Sequence, residues 1–232
     1  MKYYKVETIT QYNYGERVLP RVNGKNVPNG KYYFNQMEKV VGNSWVREII
    51  DDAPIFDYFH LETLGTSNVW EWKLQDIHGF TGTSPGGGNW FISKKYKEIL
   101  EIYKIAPRYK FYLSKLKYRS EKLDYYVLQF ADIIFQNINF AKSFFYIENQ
   151  QYEQIDHIFK ANEYLDWSNE LYRSSKKKVI WERYAINDAY DLVPMYGLRS
   201  DVLISDRLRT AIEEAKIDGV RFEEVKYEVI VG

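Results

Sequence analysis

At 232 residues, with basic and acidic side chains balanced at 32 each, the chain is long enough to bury about 70% of its unfolded surface without cross-links. It carries no global field that would draw it to nucleic acid. It has no cysteine, which excludes a disulfide framework, a thiolate nucleophile and a cysteine-ligated metal.

The opening MKYYKVETITQ lacks the apolar core of a signal peptide, and no apolar run approaches the roughly 20 residues of a membrane span. The expectation is a cytoplasmic protein with no membrane partner. Lys2–Thr8 reads as an edge or first strand. The Asn-Gly at 23–24 and Pro-Asn-Gly at 28–30 make Val22–Gly30 a run of turns, and Lys31–Phe34 reads as a short strand. Residues 54–62 and 68–74 are strand candidates; in the second, Trp70, Trp72 and Leu74 share one face. GTSPGGGN, residues 82–89, reads as a flexible surface loop.

A unit then occurs twice. FISKKYKEILEIYKIAPRYKF (91–111) and LISDRLRTAIEEAKIDGVRFEEV (203–225) share an apolar pair, a serine, a helix, a breaker and a strand. Ser93 and Ser205 are placed to cap the helices. Tyr96, Ile99, Leu100 and Tyr103 form one apolar stripe, and Leu208, Ala211, Ile212 and Ala215 repeat it at the same offsets. Lys104–Ile105 and Lys216–Ile217 close the helices. Pro107 or Gly219 breaks the chain, and strands follow at Tyr109–Tyr118 and Val220–Val231. The coincidence points to internal duplication, against the plainer reading that serine-capped helices leading into strands are common.

Between the copies, Leu123–Phe130 and Phe144–Glu148 read as strands, Gln151–Ser168 as a helix and Val179–Tyr184 as a strand. The sum is an α+β fold: mainly antiparallel sheet with a few covering helices and a duplicated helix–strand unit. A strand- and turn-rich part, 1–90, precedes an α+β part, 91–232, with units at 91–118 and 203–231. No low-complexity linker divides them, so both are expected to pack as one compact body.

Charge is segmented. Residues 94–122 hold ten basic and three acidic side chains, and residues 48–76 hold one basic and seven acidic. Residues 148–170 hold one basic and six acidic. Either these segments neutralise one another across the fold, or a charged face survives to meet a partner. The 22 tyrosines, 13 phenylalanines and 6 tryptophans exceed what one core readily hides, so some are expected at the surface.

The search for catalytic chemistry returns nothing specific. The 82–89 loop lacks the Gly-Lys-Ser/Thr ending of a phosphate-binding loop, though it leads towards the Ser93 helix start, where an anion has room. His60, His78 and His157 show no metal-ligand spacing. Gly-x-Ser-x-Gly is absent. The pairs Asp51–Asp52, Glu213–Glu214 and Glu223–Glu224 are adjacent residues whose side chains diverge. Lys176–Lys178 reads as a solvated turn. The expectation is a non-enzymatic protein without metal or cofactor.

The second copy carries a resemblance. YAINDAYDLVPMYGLRSDVLISDRLRTAIEEAKIDGVRFEEV resembles the closing segment of a bacterial immunity-protein family of polymorphic toxin systems, the immunity protein eleven family, or the related immunity protein forty-three class. Ser205, Leu208, Ala211, Ile212, Ala215, Gly219 and Phe222 match its pattern. Upstream, DYYVLQFADIIFQNINFAKSFF is similar to the family's strand, with Asn139 where the pattern has aspartate. The likeness covers mainly residues 123–225, and its motifs are structural: Ser205, Gly219 and Phe222 are expected to be scaffold positions, as is Ser93 in the first copy of the repeat. It implies an antidote that binds and blocks a cognate toxin protein, with no nucleic-acid partner. The expected toxin-facing surface is the acidic segment with its tryptophans: Asp51, Asp52, Asp57, Glu62, Trp70, Trp72 and Asp76. The alternatives are a carbohydrate- or small-ligand-binding domain with an aromatic surface, and an enzyme acting on a phosphorylated ligand through the 82–89 loop.

Overall fold

The computed structural model describes residues 1–9, 19–41, 44–63, 72–86, 88–131, 137–147, 161–195 and 201–232. In chain order they form β1 (Tyr3–Thr8), β2 (Arg21–Asn23), α1 (Gly30–Met37), β3 (Glu38–Val41), β4 (Ser44–Arg47), β5 (Phe56–Glu62), β6 (Ile77–His78) and β7 (Trp90–Ser93). Next come α2 (Lys94–Leu100), β8 (Tyr109–Tyr118), β9 (Glu121–Phe130), a 3-10 turn at Phe140–Lys142, β10 (Phe144–Ile147) and α3 (Ala161–Ser175). The chain closes with β11 (Val179–Ile186), β12 (Leu192–Pro194), β13 (Val202–Ser205), α4 (Asp206–Glu214), β14 (Val220–Glu224) and β15 (Glu228–Val231). The fold is α+β.

Three sheets of three or more strands organise these elements: β2-β5-β8-β9-β7-β6, β12-β13-β1-β14 and β10-β11-β15. Pairing is antiparallel except for β5 with β8 and β11 with β15. The order β6-β7-β9-β8 in the first sheet matches β12-β13-β1-β14 in the second, and every pair within both is antiparallel. In each unit the second strand ends in serine and leads directly into a helix. The likeness reaches individual contacts. Lys97 lies 5.2 Å from the Tyr126 ring and Arg209 lies 4.2 Å from the Tyr4 ring. Each of these cations also pairs with a glutamate four residues on, Glu101 or Glu213. Tyr126 and Tyr4 hold equivalent places, opposite Ile92 and Ile204.

The two units meet along their apolar stripes. Tyr96, Leu100 and Ile105 from one, with Leu208, Ile212 and Ile217 from the other, lie in one buried cluster with Ile92, Leu128, Val6 and Ile204, and α2 packs against α4. Each fully buried aliphatic side chain here contributes about 1.5–3 kcal/mol, which explains why the sequence keeps the spacing twice. Phe222 on β14 stands opposite Val6 and packs on this cluster. A second cluster, built on Phe34, Phe56, Phe59 and Phe91, lies beneath α1 and β5, and a third surrounds the stacked Trp181–Tyr184 pair, 4.5 Å apart.

Several expectations are corrected. β1 is an interior strand between β13 and β14, because its two partners come from some 200 residues downstream. Strands from 1–90 sit in sheets with strands from 91–232. Residues 31–34 are helical. Phe34 and Met37 with Gly30 face inward at helical spacing, and that burial overrides the strand preference of Tyr-Tyr-Phe. Val220–Val231 is two strands in two sheets. The chain bends at 225–227, where Tyr227 packs 4.8 Å from Tyr184 and its hydroxyl donates to Asp201 at 3.3 Å. The described residues of the 82–89 loop are fastened by hydrogen bonds. Gly24 N–H donates to the Thr83 carbonyl at 2.7 Å and Asn89 Nδ2 to the Pro85 carbonyl at 2.7 Å. Gly86, at φ +96°, lies so close to Glu38 that a side chain there would overlap its carboxylate. The strand expected at 68–74 lies largely outside the described residues, and residues 72–74 form none; the helix expected at 151–168 is described only from Ala161.

Candidate functional site

Each helix start is built the same way. Ser93 Oγ accepts from Tyr96 N–H at 3.2 Å and donates to Asp76 Oδ1 at 2.6 Å. Ser205 Oγ accepts from Leu208 N–H at 3.3 Å and donates to Asp191 Oδ1 at 2.6 Å. The second oxygen of each aspartate reaches across to the other unit: Asp76 Oδ2 accepts from Asp218 N–H at 3.1 Å, and Asp191 Oδ2 from Lys104 N–H at 3.0 Å. Asp191 also takes Arg207 Nε and Nη2, each at 2.5 Å. Burial pushes the Asp191 carboxyl up, but the hydrogen bonds from Arg207, Ser205 and the Lys104 N–H outweigh it and hold the group below its ordinary range. Both helix starts thus already hold a carboxylate. Asp76, expected on the toxin-facing surface, has both oxygens committed to this internal lock.

The other acidic positions do not form one face. Asp51 and Asp52 occupy the turn ahead of β5, whereas Glu62 ends that strand. Seven residues at about 3.3 Å each separate the two ends by roughly 20 Å. Lysines neutralise most of them: Lys110 meets Asp51 at 3.1 Å, Lys122 meets Asp57 at 2.5 Å, and Lys25 meets Glu62 at 3.7 Å. Trp70 lies outside the described residues. Two of the three lysines come from the basic segment 94–122, so at Asp51 and Asp57 the two charged segments meet across the sheet.

Trp72 remains. It is 49% exposed and borders a hollow of about 410 Å³ lined by His60, Leu61, Trp72, Lys117, Tyr118 and Arg119. Local structure explains the assembly. Tyr118 pairs with Glu121, so β8 and β9 join through a two-residue turn in which Arg119 has φ +55°, as right-twisted hairpins require. The turn projects Tyr118 and Arg119 at the sheet tip. The parallel register of β5 with β8 places His60 opposite Lys117. The Tyr118 hydroxyl donates to the Trp72 carbonyl at 3.2 Å, which fixes the tryptophan's backbone over the hollow. Arg119 lies 5.2 Å from the Tyr118 ring.

Next to this tip β5 is irregular. The register shifts between Asp57 and Phe59, and Tyr58 has φ +120°, a conformation that costs a non-glycine residue about 1–3 kcal/mol and gathers at functional sites. Lys117 and Lys122 lie 5.1 and 5.8 Å from the Tyr58 ring. Neither ring nitrogen of His60 has a hydrogen-bond partner among the described residues. Burial lowers its pKa first and the Lys25 charge adds to this, against the pull of Glu62. A neutral imidazole offers one donor and one acceptor to whatever fills the hollow.

Sequence reasoning named Trp72 and Glu62 here but missed His60, Tyr118 and Arg119. The signal for the last two was Tyr-Arg-Ser-Glu between two alternating runs, a hairpin-turn pattern. Asp191 was also missed, although Asp-Ile at 76–77 and Asp-Leu at 191–192 precede the two serines in parallel fashion. Among the described residues no group of three or more acidic or histidine side chains is placed to hold a metal, and no described helix is long and apolar enough to cross a membrane. No protein-family model and no curated protein matches the chain.

Proposed function

We propose that the chain is an immunity-type antidote that binds a cognate bacterial toxin in the cytoplasm and blocks it by covering its surface. The observation that carries this reading is the Trp72–Tyr118–Arg119 tip: tryptophan, tyrosine and arginine are the residues that dominate binding energy at protein interfaces. Here they surround a hollow able to receive a partner side chain. The mixed charges of Lys25, Asp57, Glu62, Lys117 and Lys122 around it supply a polar rim that steers and aligns a partner. The likeness of residues 123–225 to immunity proteins supports the same reading from the sequence. In this reading the duplicated helices are scaffold, and the sheet tip takes the place of the acidic face as the binding surface.

The test is neutralisation. A candidate cognate toxin domain is expressed from an inducible promoter in a susceptible host, with or without this protein. Rescue of growth together with co-purification of the two chains is the expected result; continued killing with no complex contradicts it. A carbohydrate-binding reading draws on the exposed Trp72 and the half-buried Tyr118, and soluble oligosaccharides that quench Trp72 fluorescence would favour it instead.

A further inference from the structure

A second cavity, which shares no lining residue with the sheet-tip hollow, lies where the two units open to solvent. It holds about 470 Å³ and is lined by β1 from Lys5 to Thr8, by Arg21, by Ser84, Asn89 and Trp90, and by Asp201 and Arg221, among others. That volume falls in the range of small-molecule sites, roughly 300–1,000 Å³.

Most of its charges satisfy one another. Lys5 pairs with Glu7, and with Asp201 at 3.3 Å. Arg221 binds Glu7 through Nε at 3.0 Å and Nη2 at 2.6 Å. Two groups are left over. The Arg21 guanidinium has no ion-pair or hydrogen-bond partner among the described residues, although β2 is pinned by Val22 N–H to the Gly79 carbonyl at 3.0 Å and Thr81 N–H to the Val22 carbonyl at 2.9 Å. Asn89 is only 4% exposed; its Nδ2 is spent on Pro85, while its Oδ1 has no partner among the described residues. A buried acceptor left empty is unfavourable, and the hydrogen bond from Asn89 Nδ2 to Pro85 holds it in place.

We infer that this cavity binds a small organic anion that carries a hydrogen-bond donor beside its acid group. The planar fork of Arg21 takes the carboxylate or phosphate, and Asn89 Oδ1 accepts from the neighbouring hydroxyl or amino group. The lining sums to a single positive charge (Lys5, Arg21 and Arg221 against Glu7 and Asp201), which suits one acid group. Phosphate monoesters and hydroxy-carboxylates share this chemistry, and the probes separate them.

The test uses the full-length protein without any toxin. Glycerol 3-phosphate, lactate, inorganic phosphate and propionate are titrated by NMR, following the side-chain signals of Arg21 and Asn89. One of the two donor-bearing acids is expected to shift both signals with a Kd below about 1 mM, to bind at least tenfold more tightly than propionate, and to lose at least tenfold on Arg21→Gln. Trp72→Ala is expected to leave this binding unchanged, which separates the site from the sheet tip. Equal binding by wild type and Arg21→Gln overturns the inference. So does the absence of any shift at the two side chains up to about 10 mM probe.

Discussion

Asp191 accepts a hydrogen bond at 3.0 Å from the main-chain N–H of Lys104, 87 residues earlier in the chain. The same carboxylate fastens its own helix start through Ser205 and Arg207, and its side chain is 0% exposed. Asp76 does the reciprocal job for the other unit. Each aspartate therefore couples the beginning of one helix to the chain just beyond the other. Replacing Asp191 with asparagine turns an amide N–H₂ towards donors. The expected loss is about 1.5–3 kcal/mol in urea unfolding, with a smaller loss for Asp76→Asn, which lacks an arginine partner. A change below about 0.5 kcal/mol for Asp191→Asn would show that the lock adds nothing to stability.

His78 gives the fold a pH dependence. Its Nδ1 faces the Pro20 carbonyl at 3.2 Å, so it carries the proton, and its Nε2 accepts from Gln75 N–H at 3.2 Å. Protonating Nε2 would set two donors against each other. Burial is the main reason the pKa is pushed down to about 4. Because the folded value lies below the unfolded one near 6.5, the stabilisation is complete above pH 6.5, declines as pH falls and levels off beneath about 4. The expected cost across that window is about 3 kcal/mol. Urea midpoints should fall over this range for the wild type and much less for His78→Gln; parallel curves would contradict the account.

Gly219 has φ +94°, and a Cβ there would overlap the Ile77 carbonyl oxygen. Gly219→Ala meets both a backbone conformation that side chains rarely adopt and a rigid obstacle. A loss of about 1–3 kcal/mol is expected, read as a lower thermal midpoint. An unchanged midpoint would mean that β6 and the turn before β14 can separate without cost.

The N-terminal strand is as important as any core element. β1 supplies Tyr4 and Val6 to the cluster between the units and pairs on both edges. Deleting residues 1–8 removes the centre of the second unit's sheet. The truncated chain is expected to lose cooperative unfolding and its near-ultraviolet circular dichroism; a native-like spectrum would contradict this.

What the sequence revealed was local. Each cap, at Ser93 or Ser205, and the apolar stripe that follows it are written within about ten residues of sequence, and the helices form where those signals lie. What it concealed depended on distant partners. Nothing near Lys2–Thr8 says that β13 and β14 flank it, and nothing near Val225 says that the chain must turn to reach Tyr184. The candidate site was hidden for the same reason. Asp51, Asp57 and Glu62 read as an acidic run until the sheet brings Lys110, Lys122 and Lys25 beside them. Trp72 stood out as an aromatic, but its neighbours Tyr118 and Arg119 come from a hairpin turn 46 residues on.

The most direct test of the account is the affinity of the purified protein for its cognate toxin domain, measured by titration calorimetry for the wild type, Trp72→Ala, Arg119→Ala and the double charge reversal Asp51→Lys/Asp52→Lys. The sheet-tip variants are expected to weaken binding by roughly 30-fold or more each, as hot-spot truncations do, with thermal midpoints unchanged and the charge reversal near wild type. Wild-type affinity in both tip variants, or a loss confined to the charge reversal, would contradict the placement of the binding surface.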